Sequence, residues 1–261
     1  MIIEWFQYLT TPSLPIARKM GYLHEAIAMQ ARHKRCQHSW QSHFQQCQHA
    51  ILDAVSQCQQ RRCVVVMGAG SLDDIPLAQL SKQFQNVYLV DLVFLKSAKK
   101  MAKRYNNVHL LEVDVSGVLS QVAVGDTQLE YDHYWRPSGF VEVDEVDLVV
   151  SLNLATQLPL IPVRWLMTRY QLPEAEAGQM GKALIQAHCQ QLQDYSGVKC
   201  LIADRQIQEY NQEGTLLDQF DPAWEVELPE SKVTWEWEVI PLGESVHKTR
   251  QVNQVGVSIW I

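Results

Sequence analysis

The amino-acid sequence predicts an α/β fold built on a doubly wound, mostly parallel sheet, and three observations predict it. Short apolar runs alternate with helical segments from residue 63 onward, the pattern of parallel strands joined by right-handed helical crossovers. The first run, Val64-Val65-Val66-Met67, ends in Gly68-Ala69-Gly70-Ser71. A strand buried on both faces reads as such a continuous run, and the glycines let it turn sharply with its backbone bare to a ligand. The second run, Val87-Tyr88-Leu89-Val90, ends in Asp91, 21 residues after Gly70. That spacing puts an acceptor where the hydroxyls of a ribose would lie.

The elements follow in order. Residues 1–60 form an N-terminal helical extension. From Leu14 to Gln60 the chain is rich in Ala, Gln, Arg and His, with no glycine after Gly21, so one or more helices are expected. Cys36, Cys47 and Cys58 recur every 11 residues, about three helical turns, and share one face with Trp40, Phe44, Ile51 and Val55. That face packs on the sheet. His33, Cys36, His43 and Cys47 match no compact zinc motif, and no metal site is expected. The run Arg32-His33-Lys34-Arg35 is the densest basic stretch of the chain. It reads as a solvated face, with binding of an anionic acceptor as the functional alternative.

Residues 61–261 form the main domain. Leu72–Phe84 is predicted as a helix with Pro76 in its first turn. Asp73 and Asp74 would then lie beside the helix N-terminus, where a pyrophosphate would seek positive potential. Two carboxylates there oppose a dianion and suit a ligand carrying a sulfonium and an amino group. A dinucleotide fingerprint also lacks its third glycine, since Asp73 occupies that position. Leu95–Tyr105 is the next helix. Val108–Val113 is the third strand, leading to Asp114 and Val115, and Val146–Val150 the fourth, leading to Ser151, Leu152 and Asn153.

Two insertions interrupt this pattern, near 121–143 and 154–178. The first carries Tyr131-Asp132-His133-Tyr134-Trp135-Arg136, a lid or acceptor wall on one reading and a packed excursion on the other. The second is apolar and broken by prolines. A helix over Gly178–Tyr195 follows, carrying His188 as a packed histidine rather than a catalytic base. Val198–Ala203 is the fifth strand. Thr234–Ile240 and Val252–Ile261 are two more, the former alternating apolar and acidic residues.

With its glycine loop Gly68-Ala69-Gly70, its acid Asp91 and its acid Asp114 after the third strand, the chain resembles class I S-adenosylmethionine-dependent methyltransferases over roughly residues 60–205. The resemblance implies a Rossmann-like seven-stranded sheet closed by a C-terminal antiparallel hairpin, with S-adenosyl-L-methionine as cofactor. It implies cofactor contacts from Gly68, Ala69, Gly70, Ser71, Asp91, Leu92, Asp114, Val115, Ser151 and Leu152, and places Asn153 beside the methyl group and the acceptor. Asn offers both a donor and an acceptor there, so it can orient a nucleophile. Two positions depart from the family pattern: Val66 stands where an acid is frequent, and Leu72 where a third glycine is frequent. These two departures motivate a non-catalytic cofactor-binding protein as the alternative; a nicotinamide oxidoreductase with an atypical turn is a third reading, against which Asp73 in place of glycine counts.

Composition bounds the partners. With 47% hydrophobic residues the chain has ample core, and its formal charge of −7 gives no general attraction to nucleic acid or anionic membrane. No nucleic-acid motif is present, and the eight tryptophans are scattered without a cationic groove. The six cysteines form no CxxC pair, which reads as reduced thiols. No signal segment or spanning run is legible, so a cytoplasmic location is expected. The methyl acceptor, a small molecule among the options, and the oligomeric state stay open.

Overall fold

A computed structural model describes residues 2–129, 145–245 and 247–261. The polar-aromatic cluster expected at 131–136 lies outside the described residues. Four helices lead the chain: α1 (Ile2–Thr10), α2 (Pro15–Met20), α3 (Tyr22–Arg35) and α4 (Gln37–Gln57). The rest alternates as β1 (Cys63–Met67), α5 (Leu77–Gln83), β2 (Asn86–Asp91), α6 (Lys96–Ala102), β3 (Val108–Glu112), α7 (Leu119–Val122) and β4 (Val146–Leu152). Then come α8 (Leu160–Tyr170), α9 (Glu174–Gln193), β5 (Val198–Tyr210), β6 (Leu216–Phe220), β7 (Val233–Ile240) and β8 (Arg250–Trp260).

The strand order is β3-β2-β1-β4-β5-β8-β7, with β6 pairing β5 outside this path. β1 pairs β2 and β4 in parallel, β2 pairs β3 and β4 pairs β5 in parallel, while β8 runs antiparallel to β5 and β7. This is the Rossmann-like sheet with a C-terminal antiparallel pair. The order reverses between β1 and β4, the switch point where open α/β sheets form a ligand crevice.

Both faces of the sheet are covered, which is why β1 and β4 are buried along their whole length. On one face α4, α5 and α6 pack over Val64, Val66, Leu89, Leu148, Val150 and Ile202. On the other, Val65, Met67, Val90, Val149 and Leu201 meet Leu192 of α9 and Tyr195 just beyond it. A third cluster joins α2 and α3 to Leu92, Val93, α7, α8 and α9. It sets the N-terminal helices over the carboxyl ends of the strands.

Four expectations change. The helix predicted over Leu72–Phe84 begins only at Leu77. A helix from Leu72 would need the N–H that Pro76 lacks, and the residue before a proline avoids the helical region. Leu72 instead takes a left-handed φ of 68°, and Asp73 and Asp74 stand in turns rather than at a helix N-terminus. Within the 154–178 segment, α8 tolerates Pro162 because it is the third residue of the helix, where no intrahelical N–H is required. The sheet gains an eighth strand, since β5 runs past Ala203 to Tyr210 and folds back through β6. Cys36 lies at the break between α3 and α4 rather than on a continuous helix, but Cys36, Cys47 and Cys58 all enter one core.

Trp40 ties α4 to the C-terminal strands: it is 2% exposed, its indole N–H donates to the Val239 carbonyl at 3.2 Å, and its ring meets Trp237 edge-on. The Arg35 guanidinium grips Glu244 across the same joint. Trp40→Ala empties a large buried volume and should cost about 3–5 kcal/mol in urea unfolding, whereas Arg35→Gln on the exposed rim should cost about 1 kcal/mol or less.

Candidate functional site

The glycine loop sits where backbone meets backbone. Gly68 has φ 81°, and a Cβ there would stand 2.4 Å from the Leu152 carbonyl oxygen, so the end of β1 lies directly against the end of β4. The Gly68 and Ala69 N–H groups donate to the Val90 carbonyl at 2.9 and 3.2 Å. Gly70 N–H donates to Asp91 Oδ2 at 2.9 Å and Val93 N–H to Asp91 Oδ1 at 3.2 Å. Asp91 thus clamps the loop from β2. Burial raises its pKa, partly offset by those N–H donors. Of the expected cofactor residues, Gly68, Ala69, Gly70, Asp91 and Leu152 converge here.

The others are distributed around this point. Leu92 belongs to the apolar cap with α2 and α3, Val115 packs on the α9 face, and Ser71 follows Gly70 in the turn. Asp114 holds the turn into α7: Oδ1 accepts from Ser116 N–H and hydroxyl at 3.0 and 2.6 Å, and Oδ2 from Leu119 N–H at 2.9 Å. Ser151 is 0% exposed and its hydroxyl meets His188 Nε2 at 2.8 Å on the α9 side, so only its backbone is left for the crevice. Burial pulls His188 down to about 4, keeping that imidazole neutral and packed.

One residue near these acids carried no signal in the sequence. Tyr22, the first residue of α3, lies within electrostatic reach of both Asp114 and Asp91, and burial followed by those two carboxylates raises its phenol well above the usual value. Its O–H therefore stays protonated as a donor. No local pattern marks Tyr22; only docking of the cap brings it there.

Asn153 anchors a second group of polar side chains. It takes a left-handed φ of 50°, with its N–H donating to the Ile202 carbonyl at 2.8 Å. Its Nδ2 lies 3.2 Å from Asp74 Oδ2, 3.2 Å from His43 Nε2 and 3.8 Å from Cys47 Sγ. His43 stacks on Trp237 at 3.8 Å. Desolvation lowers His43 to about 3 and raises Cys47, so both stay neutral. Desolvation also lifts Asp74 to about 7.

The donor atoms of His43, Cys47 and Asp74 lie within 4.8 Å of one another, a spacing that invites a metal. The hydrogen bonds oppose it. The Trp235 indole N–H donates to His43 Nδ1 at 3.1 Å, so the neutral ring carries its proton on Nε2, the nitrogen that faces Cys47 and Asn153. A metal on Nε2 would require a proton on Nδ1 pointing at a second donor, whereas ligating histidines give that proton to an acceptor. His33, grouped with these residues by spacing alone, turns instead to Asp73, 3.0 Å away.

No protein-family model matches the chain, and no curated protein matches it in sequence. Among solved structures, the chain is similar to the N-methyltransferase NodS from Bradyrhizobium japonicum WM9 in complex with S-adenosyl-L-homocysteine, at 9% identity and TM-score 0.39 over 84% of this chain and 87% of that one. It is similar to DhpI in its S-adenosylhomocysteine complex, at 12% identity and TM-score 0.36 over 92% and 95%. A SAM-dependent methyltransferase from Leishmania major shares 12% identity at TM-score 0.34 over 97% and 81%. No helix among the described residues is long and apolar enough to cross a membrane.

Asp74 makes the stability of this region pH-dependent. Its folded pKa of about 7 lies above the usual carboxylate value of about 3.9, so between those values the folded state binds the extra proton and stability falls as pH rises. Asp74→Asn should flatten that fall between about pH 4 and 7, read as the difference between wild-type and variant urea midpoints at each pH.

Proposed function

We propose that the crevice at the ends of β1, β2 and β4 binds S-adenosyl-L-methionine and that the protein transfers its methyl group to an acceptor beside Asn153. The observation that carries this reading is the glycine loop itself. Its bare backbone is clamped to Asp91, but α5 starts at Leu77, past Asp73 and Asp74. A pyrophosphate needs a helix N-terminus and positive potential beside such a loop. Here it would meet carboxylates. A ligand with ribose hydroxyls, an ammonium and a sulfonium suits the same surroundings.

In this reading Asp91 offers its carboxylate to the ribose, Tyr22 and Asp114 border the nucleoside, and residues 1–60 cap a catalytic unit formed by 61–261. The cofactor supplies an activated methyl carbon with an excellent leaving group. What the chain must add is orientation and exclusion of water. Asn153, braced by its backbone bond to Ile202 and its side-chain contact with Asp74, is the group proposed to orient the acceptor. His43 and His188 are neutral and engaged with neighbours, which leaves positioning rather than a histidine base as the source of rate.

Thermal unfolding with S-adenosylmethionine, S-adenosylhomocysteine, NAD and ATP tests the assignment. A ligand at 100 times its dissociation constant should add about 2.7 kcal/mol, a shift of several degrees with the two adenosyl-sulfur ligands and none with NAD. In Asp91→Ala that shift should be lost. Binding of NAD, or no shift with either adenosyl-sulfur ligand, would overturn the reading. Cofactor binding without transfer to any acceptor in a broad panel would leave a binding protein.

A further inference from the structure

Asn153, the proposed acceptor position, has the Asp74 carboxylate beside it and Asp204 close by on β5. Asp204, on β5, is 5% exposed, and its Oδ1 has no hydrogen-bond partner among the described residues. A bulge in β5 sets Asp204 opposite Val255 and Gln206 opposite Gln254, leaving Arg205 as the extra residue. Bulges re-aim side chains near functional sites. Here the bulge separates an acid from the adjacent base: Arg205 donates to the Pro229 carbonyl and to Ser258 Oγ, at 3.1 and 2.9 Å, while Asp204 is hydrogen-bonded to Asn253. Val255 packs in the core beneath α4 and is also opposite Trp235 on β7. Asp204, Val255 and Trp235 therefore form one row across the sheet on the α4 face.

That row lies beside Asn153. The Asn153 N–H bonds Ile202, two residues before Asp204 on the same face, and Cys47, which Asn153 Nδ2 touches, feels both the Asp74 and Asp204 carboxylates. No ion pair joins Asp74 or Asp204 to a cation among the described residues. The unpartnered Asp204 oxygen, the second carboxylate of Asp74 and the Asn153 amide between them call for a donor-rich, positively charged group.

We propose that the methyl acceptor is an amine, held by the unpartnered Asp204 Oδ1 beside Asn153 and Trp235; this rests on the cofactor reading above. An ammonium entering the site gives one proton to Asp204 Oδ1, and the freed nitrogen lone pair forms the N–C bond to the sulfonium methyl. The C–S bond breaks with its electron pair going to sulfur. The product is a methylated ammonium and a neutral thioether, and the proton on Asp204 leaves to solvent. Burial lifts Asp204 to about 6, so it is ionised at neutral pH and able to take that proton.

The test uses the full chain saturated with S-adenosylhomocysteine and titrated with n-butylamine and benzylamine, with n-butanol and benzyl alcohol as uncharged counterparts, followed by thermal unfolding at pH 8. Both amines should raise the midpoint and the alcohols should not. Asp204→Asn should keep the adenosylhomocysteine shift and weaken amine binding at least tenfold. A normal adenosylhomocysteine shift with amines no better than alcohols, or with amine binding unchanged in Asp204→Asn, overturns the amine assignment alone. Absence of the adenosylhomocysteine shift in the wild type overturns the cofactor reading and this inference with it.

Discussion

The contact of Gly68 with the Leu152 carbonyl is the constraint on which the rest of the crevice depends. It exists because β1 and β4 pair in parallel and end at the same level, Met67 opposite Ser151. With no room for a Cβ, the chain leaving β1 must pass between the ends of β2 and β4, and the Val90 carbonyl and the Asp91 carboxylate capture its N–H groups there. The loop is therefore a preorganised backbone surface, held from two neighbouring strands before any ligand arrives. The same contact sets Asn153 one residue beyond Leu152, at the rim of the crevice.

Helix α4 links this rim to the distant end of the sheet. Its Trp40 and His43 reach the C-terminal strand β7, and its Cys47 lies against Asn153, so one helix spans both halves of the α4 face. His43 and Cys47 are kept uncharged by desolvation, and Asp74 and Asp204 titrate near neutrality for the same reason. A buried acid without a cation is costly, and a cluster of them is a store of unmet electrostatic demand next to a proposed sulfonium site.

Much of the architecture was legible in the sequence because parallel strands covered on both faces must be continuous apolar runs. Val64–Met67, Val87–Val90 and Val146–Val150 announce themselves by that requirement, as does the loop at Gly68 and Gly70. The boundaries that failed have local causes. Pro76 delays α5, and the exposed strand β6 has every residue open to solvent, so it carries no apolar alternation to read. The continuation of β5 to Tyr210 is only partly buried, and its pairing with β8 decides it rather than its own residues.

By itself, then, the sequence determined the parallel pairing of the core strands, the glycine turn and the acids at strand ends, since each follows from local backbone freedom or from burial on two faces. Tertiary structure alone decided which side chains meet. Tyr22 beside Asp91 and Asp114, Trp235 on His43, and Asp204 near Cys47 and Asn153 join residues from 51 to 192 positions apart along the chain. Such encounters depend on helix docking and strand register, which no single segment encodes, and the polar cluster around Asn153 arises from them.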